Sequence, residues 1–158
     1  MVAKINSLMG ADNTSTHTSP KFKVGTIAFG EDGTEWKYVK MTTACRQYDT
    51  VAIDNNHEGA PATAALGLKQ YFPAWAQVAF AANDYGWVVM RGSNFTSNAI
   101  NLSANAACCV GASGVSAGNL CASGTGSTKL LGVVCVTAAG STAVHTVQVI
   151  ATFPRFVA

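Results

Sequence analysis

Short apolar runs separated by turn residues dominate the chain after its first two dozen positions. Gly25–Phe29 and Thr34–Lys40 are rich in β-forming residues, and they flank Gly30-Glu31-Asp32-Gly33. A Gly-rich polar tetrapeptide between two such runs is typical of a hairpin turn. The pattern therefore predicts a β-hairpin at the start of the folded region.

The same pattern predicts strands along the rest of the chain. Tyr48–Asp54 is the next one, followed by a loop at residues 55–59. The others, in chain order, are Trp75–Ala82, Tyr85–Arg91, Ile100–Ser103, Ala106–Val110, Leu120–Ala122, Lys129–Thr137 and Val144–Phe156. The last two are nearly continuous in apolar residues, which is typical of strands that are covered on both faces.

Helical patterning is sparse. Pro61–Tyr71 is the best helical candidate, and Gly67 and the following Pro73 predict that it is short. About eight to ten short strands with turn residues between them predict an all-β fold, a compact β-barrel or sandwich with at most one short helix. No repeat with a period of 20–50 residues is visible.

The N-terminal segment differs from the rest. Residues 1–24 are polar and have no hydrophobic period, so we expect an extended N-terminal arm that is disordered alone or lies on a neighbouring molecule. The predicted organisation is an arm at residues 1–24 and one β-rich domain at residues 25–158.

Charge is scarce in this chain. Charged residues make up 11% of its 158 residues, against about 25% in typical proteins. Because soluble monomers use charge to stay apart, we expect part of the surface to be hidden against partners. A small neutral monomer, made soluble by Ser, Thr and Asn, is the alternative.

The distribution of charge excludes several functions. Residues 1–84 carry seven Lys/Arg and all eight Asp/Glu, whereas residues 85–158 carry only Arg91, Lys129 and Arg155. The second half therefore lacks the carboxylates that acid–base and metal chemistry use. The net charge of +2 is small, and no basic cluster could follow a phosphate backbone, so we expect no nucleic-acid partner.

The termini, cysteines and histidines carry no targeting or metal signal. The first ten residues lack the apolar core of a secretory signal, and no run approaches about 18 apolar residues, so we expect synthesis in a cytoplasm and no membrane partner. Five cysteines without paired spacing predict buried thiols. The three histidines, His17, His57 and His145, lack ligand spacing, so no metal is expected.

Three short motifs resemble chemical sites and fail on context. Gly114-Val115-Ser116-Ala117-Gly118 matches the nucleophile elbow, but no helix and no acid follow it. The loop Ser123–Lys129 lacks the Gly-Lys-Ser/Thr of a phosphate loop. Glu31, Asp32 and Glu35 cluster near a turn without EF-hand spacing, which predicts a solvated hairpin tip. We expect no catalytic residue and no cofactor.

Aromatic residues are concentrated between positions 36 and 87. The cluster is Trp36, Tyr38, Tyr71, Phe72, Trp75, Phe80, Tyr85 and Trp87. Interleaved with sparse basic residues, such a cluster stacks on nucleobases or on a carbohydrate in some proteins. A core or a subunit interface is the interpretation that we favour.

Several stretches across most of the chain beyond the arm share one resemblance. They are Phe22–Lys40, Tyr48–Asp54, Ala76–Val88, Leu131–Val134 and Phe153–Arg155. Together they are similar to segments of small structural proteins of tailed bacteriophages, the head decoration or cement proteins.

This resemblance implies a specific role. It implies a β-rich, non-enzymatic protein displayed on the outer surface of the virion capsid, commonly as a homotrimer, which ties neighbouring subunits of the major capsid protein together. A tail- or fibre-associated protein that binds a host-surface glycan is the alternative. A small hydrolase is a third hypothesis, which the missing acids disfavour.

Overall fold

Ten β-strands and one helical turn make up the described part of the chain. The computed structural model describes residues 11–67, 71–122, 126–141 and 143–157. The elements are β1 (Ile27–Phe29), β2 (Glu35–Met41), β3 (Thr50–Ile53), β4 (Glu58–Pro61), α1 (Ala64–Gly67), β5 (Phe72–Ala76), β6 (Tyr85–Ile100), β7 (Ala107–Val110), β8 (Leu120–Cys121), β9 (Thr128–Cys135) and β10 (His145–Val157). The predicted all-β fold with one short helix is confirmed.

Five of the strands close into a first barrel. Strand β2 pairs with β4 in parallel, and antiparallel pairs then link β4 to β3, β3 to β5, β5 to β6 and β6 back to β2. Strand β1 lies outside this ring as an antiparallel partner of β2. The N-terminal half of β6 thus completes the barrel.

The C-terminal half of β6 begins a second ring with the same pairings. It pairs with β8 in parallel, and antiparallel pairs link β8 to β7, β7 to β9, β9 to β10 and β10 back to β6. The two five-stranded rings, here called the first and second barrels, therefore share one topology and one long strand.

Loop details support the equivalence of the two barrels. An isolated antiparallel β-bridge pairs Cys45 with Phe80 in the first barrel, and an equivalent one pairs Leu102 with Ala139 in the second. Three residues beyond each first bridge residue, Tyr48 and Asn105 both have positive φ, at 69° and 60°. The structural repeat spans nearly 60 residues, longer than the periods tested above, and the sequence shows little trace of it because different side chains satisfy the same pairing.

Two apolar clusters fill the molecule. The smaller lies inside the first barrel and contains Val39, Met41, Val51, Ile53, Ala74, Ala76 and Val88, together with Cys45 and Phe80. The larger covers the outer wall of that barrel with three tryptophans and continues into the interior of the second barrel. The tilted contact of Trp75 with Phe95, at 4.8 Å between ring centroids, joins the two parts.

The elements predicted from the sequence are corrected in three places. The helical candidate Pro61–Tyr71 forms only the turn Ala64–Gly67, and residues 68–70 lie outside the described residues. The loop predicted at 55–59 contains the start of β4. The predicted strand Trp75–Ala82 instead runs from Phe72 to Ala76, and its pairing with β3 places Phe72 opposite Ile53.

The largest difference concerns β6. Sequence patterning ended this strand at Arg91 and predicted another at Ile100–Ser103, whereas one strand runs from Tyr85 to Ile100. Apolar patterning does not predict the segment between Arg91 and Ile100 as a strand, because some of its buried residues are polar. Ser97 lies opposite the buried Thr50 hydroxyl, and Asn98 donates to Asp49.

The described part of the arm, residues 11–24, lies on its own chain. His17 forms a bridge with Tyr85 of β6. The Phe22 ring lies 5.4 Å from Tyr38 and 5.3 Å from Trp87, between ring centroids. Residues 11–24 therefore pack on the first barrel of their own chain, where we expected disorder or contact with a neighbouring molecule. Residues 1–10 lie outside the described residues.

Candidate interaction surface

The outer wall of the second barrel is apolar where β9 and β10 run side by side. On β9, Leu130, Val133 and Cys135 point into the barrel, while Leu131 and Val134 point outward; Val136, directly after the strand, is also exposed. Leu131 and Val134 are each 42% exposed, and Val134 pairs with Ile150 on β10. We call Leu131, Val134, Val136 and Ile150 the outer face. The expectation that β9 is covered on both faces is therefore wrong within the single chain.

Two positive charges lie beside the outer face, where β9 begins and β10 ends. Lys129 and Arg155 are exposed at its end, and Arg155 pairs directly with Leu131 across the two strands. Within the described ranges, neither residue forms a salt bridge. The surface is thus apolar with two uncompensated cations, as expected from a half of the chain that contains no acid.

Phe153 projects from a bulge next to this face. Strand β10 pairs with β6 as far as Ala151, and its pairing with β9 shifts register between Ala151 and Arg155. The backbone of Phe153 passes over Gly132, whose φ is +72°. Bulges re-aim side chains in this way, and Phe153 is 76% exposed, the most exposed of the large apolar side chains described.

An ion pair holds the ring from one side. The guanidinium carbon of Arg91 lies 5.6 Å from the centroid of the Phe153 ring, in a cation–π arrangement. Arg91 Nε donates to Glu35 at 2.7 Å, so the cation is fixed to the first barrel. Glu35 therefore holds Arg91 in position, whereas the sequence predicted that Glu35 belongs to a solvated hairpin tip.

A polar network joins the two barrels on another side of the molecule. The Asp49 carboxylate, 1% exposed, accepts hydrogen bonds from the Arg46 backbone and guanidinium and from Asn98 Nδ2 at 2.9 Å. Arg46 Nη2 also donates to the carbonyl of Ala117 and to Asn119 Oδ1. Residues of both barrels therefore converge on the ion pair of Asp49 with Arg46, which suits a structural joint.

Ser116, the serine of the elbow-like motif, lies beside this joint. It lines a cavity of about 480 Å³ with Cys45, Arg46 and Asp49, and no histidine is among the described lining residues. Asp49 is already occupied by Arg46 and Asn98. Around Ser116, the described residues include no base and free acid of the kind that activates a nucleophile.

The remaining residues singled out in the sequence have roles in turns and strands. Asp32 Oδ1 accepts the Thr34 backbone N–H at 2.9 Å and so supports the hairpin turn. Lys129, at the end of the Gly-rich loop that resembles a phosphate loop, lies in β9 and not at the start of a helix. Residues 123–125 of that loop lie outside the described residues. Among the described residues, no group of three His, Cys, Asp or Glu side chains is placed to hold a metal ion.

The five cysteines are free and buried. Cys109 lies directly opposite Cys121 on neighbouring strands, and Cys121 Sγ donates to the Cys109 carbonyl at 3.3 Å. Burial raises the pKa of Cys45 and of Cys108 to about 12. These thiols are therefore protonated near neutral pH and poor nucleophiles.

The aromatic cluster is mostly core. Trp36, Trp75, Trp87 and Tyr38 have essentially no exposed surface, which removes them as a platform for bases or sugars. Phe72 is exposed, with the Lys37 ammonium 5.5 Å from its ring centroid, and Tyr71 and Tyr85 are half-buried. The interpretation as core is thus confirmed for the tryptophans.

Comparison with protein-family models, curated proteins and solved structures finds no match to this chain. The surface must therefore be interpreted from its own chemistry. Across the described ranges, no helix has the length and apolar character needed to cross a membrane. The signal for the outer face was present in the sequence, as the unbroken apolar run of β9, but it was assigned to burial within the chain.

Proposed function

We propose that this protein is a capsid decoration protein, which binds the outside of a phage head and stabilises contacts between subunits of the major capsid protein. One observation carries the proposal: β9 is apolar on both faces, and its own chain covers only one. Exposed apolar surface of this kind marks interaction sites. The resemblance to phage cement proteins supplies the partner.

The charge of the surface defines what the partner offers. Lys129 and Arg155 lie beside the outer face without a carboxylate to pair with in the described residues. A partner surface with apolar side chains and nearby carboxylates would complement them. Because a head offers many equivalent sites, modest affinity at each becomes strong retention when several chains are linked.

A non-enzymatic role belongs to the same proposal. The described cavity beside Ser116 holds no histidine, and its only acid is bound by Arg46 and Asn98. Ester, peptide and glycoside substrates should therefore be hydrolysed no faster with the wild-type chain than with Ser116→Ala. A specific activity that this substitution removes would overturn this part of the proposal.

Binding to heads tests the proposal. Purified protein should co-sediment with expanded, undecorated phage heads. The double variant Leu131→Ser/Val134→Ser should lose at least roughly tenfold in affinity, because binding would no longer remove these two apolar side chains from water. Ile27→Ser is the matched control, since Ile27 is similarly exposed on β1 of the first barrel.

Two results would count against the proposal. Wild-type protein that stays in the supernatant with heads would contradict head binding. Equal losses in the control and the double variant would contradict the assignment of the outer face.

A further inference from the structure

The bulge that presents Phe153 separates two clefts of similar size. One has a volume of about 420 Å³ and is lined by Glu35, Met90, Pro154 and Arg155. The other has a volume of about 400 Å³ and is lined by Asp32, Gly33, Gly92 and Ile150, among others. Arg91, Thr152 and Phe153 border both, so the Phe153 ring forms the wall between them.

The two clefts carry opposite charges. Arg155 lies in one and forms no salt bridge among the described residues. Asp32 lies in the other; its carboxylate accepts one backbone N–H and has no cation within 4 Å in the described residues. The ion pair of Arg91 with Glu35 is satisfied internally. An aromatic knob therefore lies between one free cation and one free anion.

Such an arrangement is complementary to itself. If a second copy is turned by 180° about an axis that passes close to Phe153 and lies perpendicular to the line from Asp32 to Arg155, the anionic side of each copy faces the cationic side of the other. A twofold contact is isologous, so each interaction is formed twice. Exposed aromatic and arginine side chains at the centre of a patch are the residues that most often carry interface energy.

We propose that two copies of this chain associate through Phe153. The two Phe153 rings pack against each other across the axis, and Asp32 of each copy pairs with Arg155 of the other. This contact is centred on Phe153, shares Ile150 and Arg155 with the edge of the outer face, and goes beyond head binding. It predicts an even number of chains, whereas the resemblance to cement proteins implies three.

The mass of the purified full-length chain tests the contact. Sedimentation and light scattering from micromolar to millimolar protein should show a dimer. Phe153→Ser should weaken the dimer by at least roughly tenfold. Phe72→Ser, an exposed phenylalanine of the first barrel, should leave the mass unchanged.

Charge reversal provides a sharper test because the pairing is reciprocal. Asp32→Arg alone and Arg155→Asp alone should each dissociate the dimer, since like charges then face one another twice. Mixing these two variants should restore a heterodimer, because both of its ion pairs are then attractive. Asp32→Asn, which keeps an acceptor for the Thr34 N–H, should weaken the dimer less than reversal does.

The outcomes separate this contact from the proposed function. A monomer at every concentration, a trimer, or a dimer that Phe153→Ser leaves intact would each overturn the twofold contact. Failure of the mixed variants to associate would also overturn it. A monomeric chain that binds heads would contradict the twofold contact but support the decoration role. A dimer that does not bind heads would contradict the decoration role but support the twofold contact.

Discussion

A Cβ atom added to Gly132 would lie 2.5 Å from the carbonyl oxygen of Phe153. The close approach of these two residues fixes the bulge of β10 against β9 and so fixes the direction of the exposed Phe153 ring. It also explains why this apolar strand contains a glycine between Leu131 and Val133. The most prominent feature of the surface thus depends on a residue with no side chain.

Gly132→Ala should destabilise the fold and displace the bulge. The substitution combines the cost of a positive φ, about 1–2 kcal/mol, with a steric conflict against backbone atoms, about 1–3 kcal/mol more. Gly126→Ala is the matched control, because Gly126 has a φ of +75° and open space where its Cβ would lie. Urea unfolding should show the larger loss for Gly132→Ala; equal losses would contradict the steric account.

The joint between the barrels should depend on the buried Asp49 carboxylate. Asp49→Ala leaves the Arg46 backbone N–H and the buried Asn98 amide without this acceptor, which costs about 1–3 kcal/mol, whereas the half-exposed Arg46 guanidinium can be hydrated. Lys40→Ala breaks a more exposed ion pair with Glu58, at 3.6 Å, and should cost about 0–1 kcal/mol. Denaturant unfolding measures both. Similar small losses would show that the Asp49 network does not bind the barrels together.

The arm should be protected in the free protein. Phe22 packs against Tyr38 and Trp87, so trypsin should cleave slowly at Lys21 and Lys23 before any partner is added. Phe22→Ala removes these ring contacts and should speed cleavage at both sites, as measured by mass spectrometry. Val144→Ala, which shortens an exposed apolar side chain of the second barrel, is the control. Rapid cleavage of the wild-type arm would contradict this packing.

The buried thiols predict a dependence of stability on pH. Burial raises the pKa of Cys45 and of Cys108 to about 12 in the folded chain, whereas an unfolded thiol titrates near 8.5. Their contribution is therefore fully present below about pH 8.5 and is lost as pH rises toward 12. The urea midpoint should fall over this range, and the fall should be smaller in Cys45→Ala/Cys108→Ala. An equal fall in both proteins would exclude these thiols as the cause.

Alkylation tests the same thiols directly. At pH 8 iodoacetamide should label native Cys45 and Cys108 slowly, because the thiolate is the reactive form. All five cysteines should be labelled after denaturation without reductant. A stoichiometric disulfide would contradict the thiol state.

Local sequence patterns predict the strands whose buried positions are apolar, and they fail where buried positions are polar. The hairpin around Gly30–Gly33 and strands β7, β9 and β10 follow from turn residues and apolar runs. The polar centre of β6 was missed because Ser97 and Asn98 are buried by partners distant in sequence, which a local pattern does not contain. The internal repeat was missed for a similar reason, since it lies in strand pairing rather than in residue identity.

The interaction surface was half predictable. The low charge and the apolar run of β9 indicated hidden surface, and the structure identifies which face its own chain leaves open. The knob at Phe153 could not be predicted, because it depends on a bulge, on Gly132 beneath it and on Arg91 from the other barrel. Each of these becomes adjacent only after folding.

Electron microscopy of heads incubated with the purified protein tests the central proposal most directly. The account predicts added density on the outside of the head, with β9 and β10 turned toward the major capsid protein and Leu131 and Val134 at the contact. Heads carrying the protein should also survive higher temperature or osmotic stress than undecorated heads. Density only on the tail, or an outer face turned to solvent on equally fragile heads, would contradict the account.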